Sequence, residues 1–212
     1  MMHGWDEIMI ATRERVQSMH EAREQALGHA RKLGQLAAKC IRHVHRHQFA
    51  EAEALLAEAR AVAALGRAAL APFPELPGAY LHDAEKEMVE AAAVLAMVRD
   101  EPYPTPESLG APIMSYLNGM GEAASEVRRY ALDLMRAGDL AEAERILQRM
   151  EMIYEDLITF DYSDAMTGGL RRTCDALRAV VERTRSDLTL TTTQRALTEE
   201  LRRVVPKTDA SA

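Results

Sequence analysis

Apolar residues recur along the chain at intervals of three and four, and no stretch sustains the period of two that a half-buried strand requires. The spacing predicts seven helical segments. The first runs from about Trp5 to His47, and the second from about Ala50 to Leu70, where Pro72, Pro74, Pro77 and Gly78 stop it. The third covers about Tyr80 to Arg99 and is ended by DEPYPTPESLG, whose Pro102, Pro104 and Pro106 leave no room for a helix. The fourth extends from Pro112, well suited to a first turn, to Arg136, with Gly138 as its stop. A fifth is expected from an Asp139 N-cap to Phe160, a sixth from about Gly169 to Asp187, and a seventh from a cap within Thr191 to Thr193 as far as Val204. The fold class is therefore all-α. Residues 1–205 read as one domain, because no linker-like stretch divides them, and residues 206–212 as a disordered tail.

Two of these helices carry chemistry beside their apolar seams. In the third, Leu81, Ala84, Met88, Ala91, Leu95 and Val98 form a seam that must pack against a neighbour. Beside it runs the line Asp83, Glu87, Glu90, continued by Val94 and Met97. An acidic line that turns apolar is expected to face a partly enclosed surface. In the fourth helix the seam is Ile113, Leu117, Met120, Ala124, Val127, Ala131 and Leu134, while Glu122 and Glu126 sit one turn apart on the opposite face. Amphipathicity alone assigns that face to solvent. The same line begins with Ser115 and Gly119, small enough for another group to approach closely. Two acidic pairs brought together across the two helices would form a hard, oxygen-rich cage suited to magnesium or manganese. Kept apart, they would be solvated acidic shoulders, and periodicity leaves both readings open.

Composition narrows the partners. Aromatic residues make up only 5% of the chain, and Ala, Leu, Glu and Arg dominate, which reinforces the helical reading. A net charge of −7 argues against an open, generally basic nucleic-acid binder. Even so, Arg31, Lys32, Lys39, Arg42, His43, His45, Arg46 and His47 cluster on the first helix, as either a phosphate-binding stretch or ordinary surface charge. His43 and His47, one turn apart, could chelate a transition metal, although an exposed or phosphate-facing pair is the simpler reading. Cys40 and Cys174 fall in helical patterns with no nearby partner, as buried reduced thiols would. The longest purely apolar run, Ala91 to Val98, is too short for a bilayer, and MMHGWDEIMI lacks the basic start of a secretory signal, so a soluble, cytoplasmic protein without membrane contact is expected. The chain has no Glu-x-x-His step for a ferritin-like di-iron site, no Gly-rich phosphate loop, no nucleophile elbow and no Cys-rich zinc pattern. FAEAEALLAEA, from Phe49, and LAEAERILQRM, from Leu140, look alike, but their separation is not a solenoid period, and shared helix-start chemistry accounts for the likeness.

Several separated motifs resemble the translin and translin-associated factor X family. YLNGMGEAASEVRR, Tyr116 to Arg129, is similar to the family's Tyr-Leu-x-Gly, acidic residue, Gly-Glu-Leu-x-Arg segment, and DAEKEMVEA, Asp83 to Ala91, to its Gln-Glu-x-x-Glu-Ala segment. AGDLAEAERILQRMEMIYEDLITFDY and LRRTCDALRAVVERTRSDL follow in family order, and AREQALGHARKLGQLAAKCIRHVHR fits more loosely. The resemblance covers nearly the whole chain. It implies a seven-helix α-α bundle that assembles into a closed homo-oligomeric shell, an octamer, with a metal-dependent endoribonuclease acting on single-stranded or processed RNA at its inner wall. The positions matching the family's catalytic, metal-binding acids are Glu87, Glu90, Glu122 and Glu126, for Mg2+ or Mn2+. Arg129 matches the family's basic residue as a phosphate contact, with Arg128 beside it, and the first-helix residues Lys39, Arg42, His43 and Arg46 are further candidate RNA contacts. Glu122 stands where the factor X pattern has Asp, Ser125 replaces a Gly and Asn118 an apolar residue. The translin branch lacks much of the acidic set, so four retained carboxylates resemble the catalytic kind. The alternatives are a non-catalytic oligomer that binds RNA or single-stranded DNA, and a helical protein-interaction adaptor.

Overall fold

The computed structural model describes residues 3–204; the expected disordered tail, 206–212, lies outside the described residues. The described residues form nine helices and no strand: α1 (His3–Val44), α2 (Phe49–Leu70), α3 (Ala79–Arg99), α4 (Pro106–Leu109), α5 (Ile113–Glu126), α6 (Arg128–Ala137), α7 (Leu140–Leu157), α8 (Asp164–Thr167) and α9 (Leu170–Val204). Two of these are single turns, so seven longer helices remain. The number matches the sequence expectation, but two of the boundaries do not.

The predicted fourth helix is broken in two. Val127 closes α5 and opens α6, and Ser125 Oγ donates back to the Gly121 carbonyl at 3.2 Å, a bond that competes with the helical ladder and bends it. Immediately after the break, the Arg128 guanidinium reaches across to α9, donating to Thr184 Oγ1 at 2.9 Å and to Asp187 Oδ2 at 2.7 Å. Conversely, the predicted sixth and seventh helices are one. Thr191 and Thr193 cap nothing; their hydroxyls donate to the carbonyls of Asp187 and Thr189 four residues back, inside the continuous α9. The proline-rich segment also holds one turn after all. Thr105 caps α4 by accepting from the Ser108 amide at 3.1 Å, and Pro106 sits at a first-turn position where its missing N–H is no loss.

Other signals act as expected. Asp139 caps α7 by accepting from the Glu142 amide at 3.2 Å, and Gly138 before it adopts φ 84°. FAEAE and LAEAE each open a helix, α2 and α7. Cys40 and Cys174 are buried free thiols, and burial pushes Cys40 up to about 11, so it stays protonated and unreactive.

α3 is the central helix, packed against α1, α2 and α5. Every residue from Ala91 to Val98 is buried, so this run is apolar all round because protein surrounds it. No described helix is long and apolar enough to cross a membrane. The predicted α3 seam is buried throughout; in the fourth pattern Leu117, Met120, Ala124, Val127 and Ala131 are buried, but Ile113, at the open end of α5, is half exposed.

α3 and α5 approach each other closely at Gly119. A Cβ placed on Gly119 would stand 2.6 Å from the Val89 Cβ and 2.7 Å from the Lys86 carbonyl oxygen, so the two backbones pack without a side chain between them. α5 is thus covered by α3 as well as by α7 and α9. The face of α5 opposite its predicted seam is therefore not open to solvent: Ser115 and Gly119 are fully buried, and Glu122 and Glu126 partly so. Gly119→Ala should lower stability by about 1–3 kcal/mol through overpacking, which at roughly 2–4 °C per kcal/mol is a readily measured fall in melting temperature. An unchanged melting temperature would mean that α3 and α5 can separate freely.

Candidate metal and RNA site

The contact at Gly119 sets the register of four carboxylates. Glu87 and Glu90 lie about one turn apart on α3, and Glu122 and Glu126 one turn apart at the C-terminal end of α5. Glu87 extends towards α1, where an ideal Cβ on Gly34 would meet its Oε2 at 2.8 Å. Only a glycine there leaves the carboxylate its place.

The α5 acids each have a basic partner from another segment. Glu122 Oε1 accepts from Lys86 Nζ at 2.8 Å, and Lys86 Nζ also lies 3.6 Å from Asp83 Oδ1. Glu126 Oε1 lies 2.7 Å from Nε2 of His45, which follows the end of α1 and whose side chain is only 5% exposed. Glu87 and Glu90 have no salt-bridge partner among the described residues. Their charge balance shows in their proton affinities. Burial pushes Glu90 up to about 8, and the negative charges of Glu122, Glu126 and Glu87 add to this against the opposing pull of Lys86. Glu87 is raised as well, first by burial and then by Glu122, again with Lys86 opposing. Burial works against the Lys86 ammonium, but Glu122 and Asp83 outweigh it and hold its pKa above the ordinary lysine value. The four acids thus behave as one electrostatic group.

Such a group suits a hard divalent cation. Carboxylate oxygens are the donors that magnesium and manganese prefer, and like charges this close are relieved by a positive ion. Among the described residues, however, no three His, Cys, Asp or Glu side chains already form a ligand cluster. Glu122 and Glu126 are turned towards Lys86 and His45 instead.

The predicted RNA contacts fall into different settings. Arg129 is exposed, as are Lys39, Arg42 and Arg46. Arg128 is not available in the same way: its guanidinium is engaged by Asp187 and Thr184 and ties α6 to α9. At about 100° per residue, His45, one residue past the end of α1, continues the face of Gly34, with Arg31 and Arg42 on its solvent flank and Lys39 and Arg46 further round. The basic stretch therefore borders the carboxylates from one side. His43 is partly buried with its Nδ1 enclosed and unbonded, whereas His47 lies beyond the helix end at φ 57°, its ring against Phe49 and Tyr130. The possible chelating pair does not form. Sequence reasoning missed two residues of the site, Lys86 and His45. Lys86 was visible as the one cation within DAEKE, while His45 was counted only with the basic stretch.

No family model matches the chain. An uncharacterised protein of Methanocaldococcus jannaschii is 37% identical over 90 residues, which cover 42% of this chain and 40% of that protein's length. Among solved structures, AfC3PO in complex with duplex RNA superposes with a TM-score of 0.82 at 34% identity, covering 89% of this chain and 98% of that one. AfC3PO on its own gives 0.78 at 33% identity with the same coverage. Apo-NeC3PO gives 0.78 at 21% identity, covering 86% of this chain and 96% of its own, a likeness of fold.

Glu90 generates a pH prediction for the metal-free protein. It ionises at about 8 in the folded chain against an ordinary value of 4.5, so folding takes up a proton between those values. Its contribution to stability is intact below the lower value and is lost as pH rises through the upper one. Glu90→Gln removes that loss. The variant should melt above the parent by a few degrees at about pH 9, and the gap should close at about pH 5. Equal melting temperatures at both pH values would show that the carboxylate is well solvated.

Proposed function

The chain belongs to the translin family of C3PO proteins, and from that premise we propose that it is a metal-dependent endoribonuclease, acting on single-stranded or processed RNA within a closed homo-oligomer. The observation that carries this reading is the meeting of Glu87, Glu90, Glu122 and Glu126 across the α3–α5 contact, with Glu90 held up to about 8 by burial and by the other three. Four acids retained as one strained electrostatic group serve no packing purpose that apolar residues would not serve better.

In this reading Glu87, Glu90 and Glu126 hold the ion, Mg2+ or Mn2+, and Glu122 is a further ligand or the general base. When bound, such an ion polarises a phosphate oxygen and lowers the pKa of water for attack on the phosphodiester. The remaining work falls to the chain. His45 fixes the orientation of Glu126 from a nearly dry position, as the hydrogen-bond partners of metal-binding side chains do elsewhere. Arg129 emerges two residues beyond the break at Val127 and offers an exposed guanidinium to a phosphate. Lys39, Arg42 and Arg46 extend that positive border along α1, so an acidic chain can present a local surface to RNA. That AfC3PO was solved with duplex RNA supports RNA as the ligand class.

A second reading, an RNA-binding oligomer without turnover, is favoured by one observation: Glu122 and Glu126 already have partners in Lys86 and His45. Cleavage of a single-stranded RNA in magnesium separates the two. Glu126→Gln should reduce the rate on the order of 100-fold while RNA binding by gel shift persists, and chelator should abolish cleavage by the parent. Equal rates, or cleavage insensitive to chelator, would sink the nuclease; binding without cleavage by the parent would select the second reading.

A further inference from the structure

Among the described residues, Lys86 is the only lysine or arginine that pairs with any of the four site carboxylates. Its surroundings are unequal. On the inner side is Glu122 at 2.8 Å, whose side chain is 35% exposed; on the outer side is Asp83 at 3.6 Å, whose side chain is 86% exposed. The root of the lysine sits at the α3–α5 contact, where its carbonyl oxygen would lie 2.7 Å from a Cβ placed on Gly119. What remains free is the four-carbon stem, and Asp83 lies three residues earlier on the same helix, within reach by rotation of that stem alone.

We propose that Lys86 is a resident counter-cation: it neutralises the carboxylate group when no metal is bound, and an entering divalent ion displaces it from Glu122 to Asp83. The inference rests on the metal-binding reading above and adds to it a defined exchange. A divalent ion bound through Glu122 sets two positive charges beside the ammonium, and like charges at contact range in a partly buried site repel strongly. Asp83 lets the ammonium leave without losing its partner. Lys86 therefore has two effects of opposite sign: it stabilises the empty site, and it lowers the site's affinity for metal by the interaction that must be broken.

Calorimetric titration of the full chain with magnesium chloride, in the absence of RNA, tests the exchange. Lys86→Met should bind magnesium about three- to tenfold more tightly than the parent, melt lower without metal and gain more in melting temperature when magnesium is added. Asp83→Asn, at an exposed position that threatens no packing, should weaken magnesium binding in the parent background but have no effect in the Lys86→Met background, because the coupling runs through the lysine. Equal or weaker binding by Lys86→Met overturns the proposal, as does an Asp83→Asn effect of the same size in both backgrounds, which would mark Asp83 as a distant charge only. If the parent binds magnesium and neither substitution alters it, this inference fails and the metal reading stands. If neither the parent nor Lys86→Met binds magnesium, the metal reading fails and takes this one with it.

Discussion

The backbone contact between α3 and α5 at Gly119 is the constraint on which the rest of the site depends. It brings two helices closer than any side chain would allow, and so leaves Glu122 and Glu126 partly covered, Glu122 turned to Lys86 on α3 and Glu126 to His45 beyond α1. Four acids at that spacing repel, and the bundle must supply what the repulsion removes. The distortion at Glu90 corresponds to a few kcal/mol at most. Burial of one large apolar side chain stabilises by about 1.5–3 kcal/mol, so a few of Met88, Val89, Val94 and Met97, all on α3 and all without exposed surface, suffice to outweigh it. The acidic and the apolar halves of α3 are therefore one design, the second holding the first in place.

What was legible in the sequence was whatever depends on neighbours three and four residues away. The α3 seam, the Asp139 cap and the stops at Pro72 and Gly138 are local patterns with local causes. The failures have longer reach. The break at Val127 follows from a hydroxyl turned back on its own helix and an arginine drawn to α9, neither of which alters the apolar spacing. Thr191 to Thr193 looked like a cap because threonine hydroxyls serve backbone donors at helix starts, yet the same groups are satisfied by carbonyls within a continuous helix. Periodicity left the face of Glu122 and Glu126 open between solvent and enclosure because amphipathicity presumes one buried side, and α5 is covered on two. In the candidate site the four glutamates were named through resemblance to a family. Their basic partners were not, since His45 and Glu126 stand 81 positions apart and nothing in the spacing joins them.

The two adjacent arginines show how closely partly buried and exposed charge are interleaved just beyond the end of α5. Arg128 and Arg129 are indistinguishable by charge, and a single step of helix rotation divides their work. One is bound to Thr184 and Asp187 and fixes α6 against α9; the other faces outward. An exposed positive charge and the mechanical attachment of the helix that carries it thus fall on consecutive residues, with Glu126 one residue upstream of the break at Val127. The net charge of −7 obscures this arrangement, because it sums over a surface on which the signs are sorted.

Two positions shape the site without offering any functional group to it. Gly34 leaves the space that the Glu87 carboxylate fills, and Gly119 lets α3 and α5 meet. At each, a single methyl group would displace a carboxylate or the helix that bears it while leaving every acid, base and hydrogen-bonding group in the inventory. The geometry of such an acidic group is therefore written partly in hydrogen atoms: two chains with identical glutamates can hold them differently because of positions where a search for reactive groups would never look.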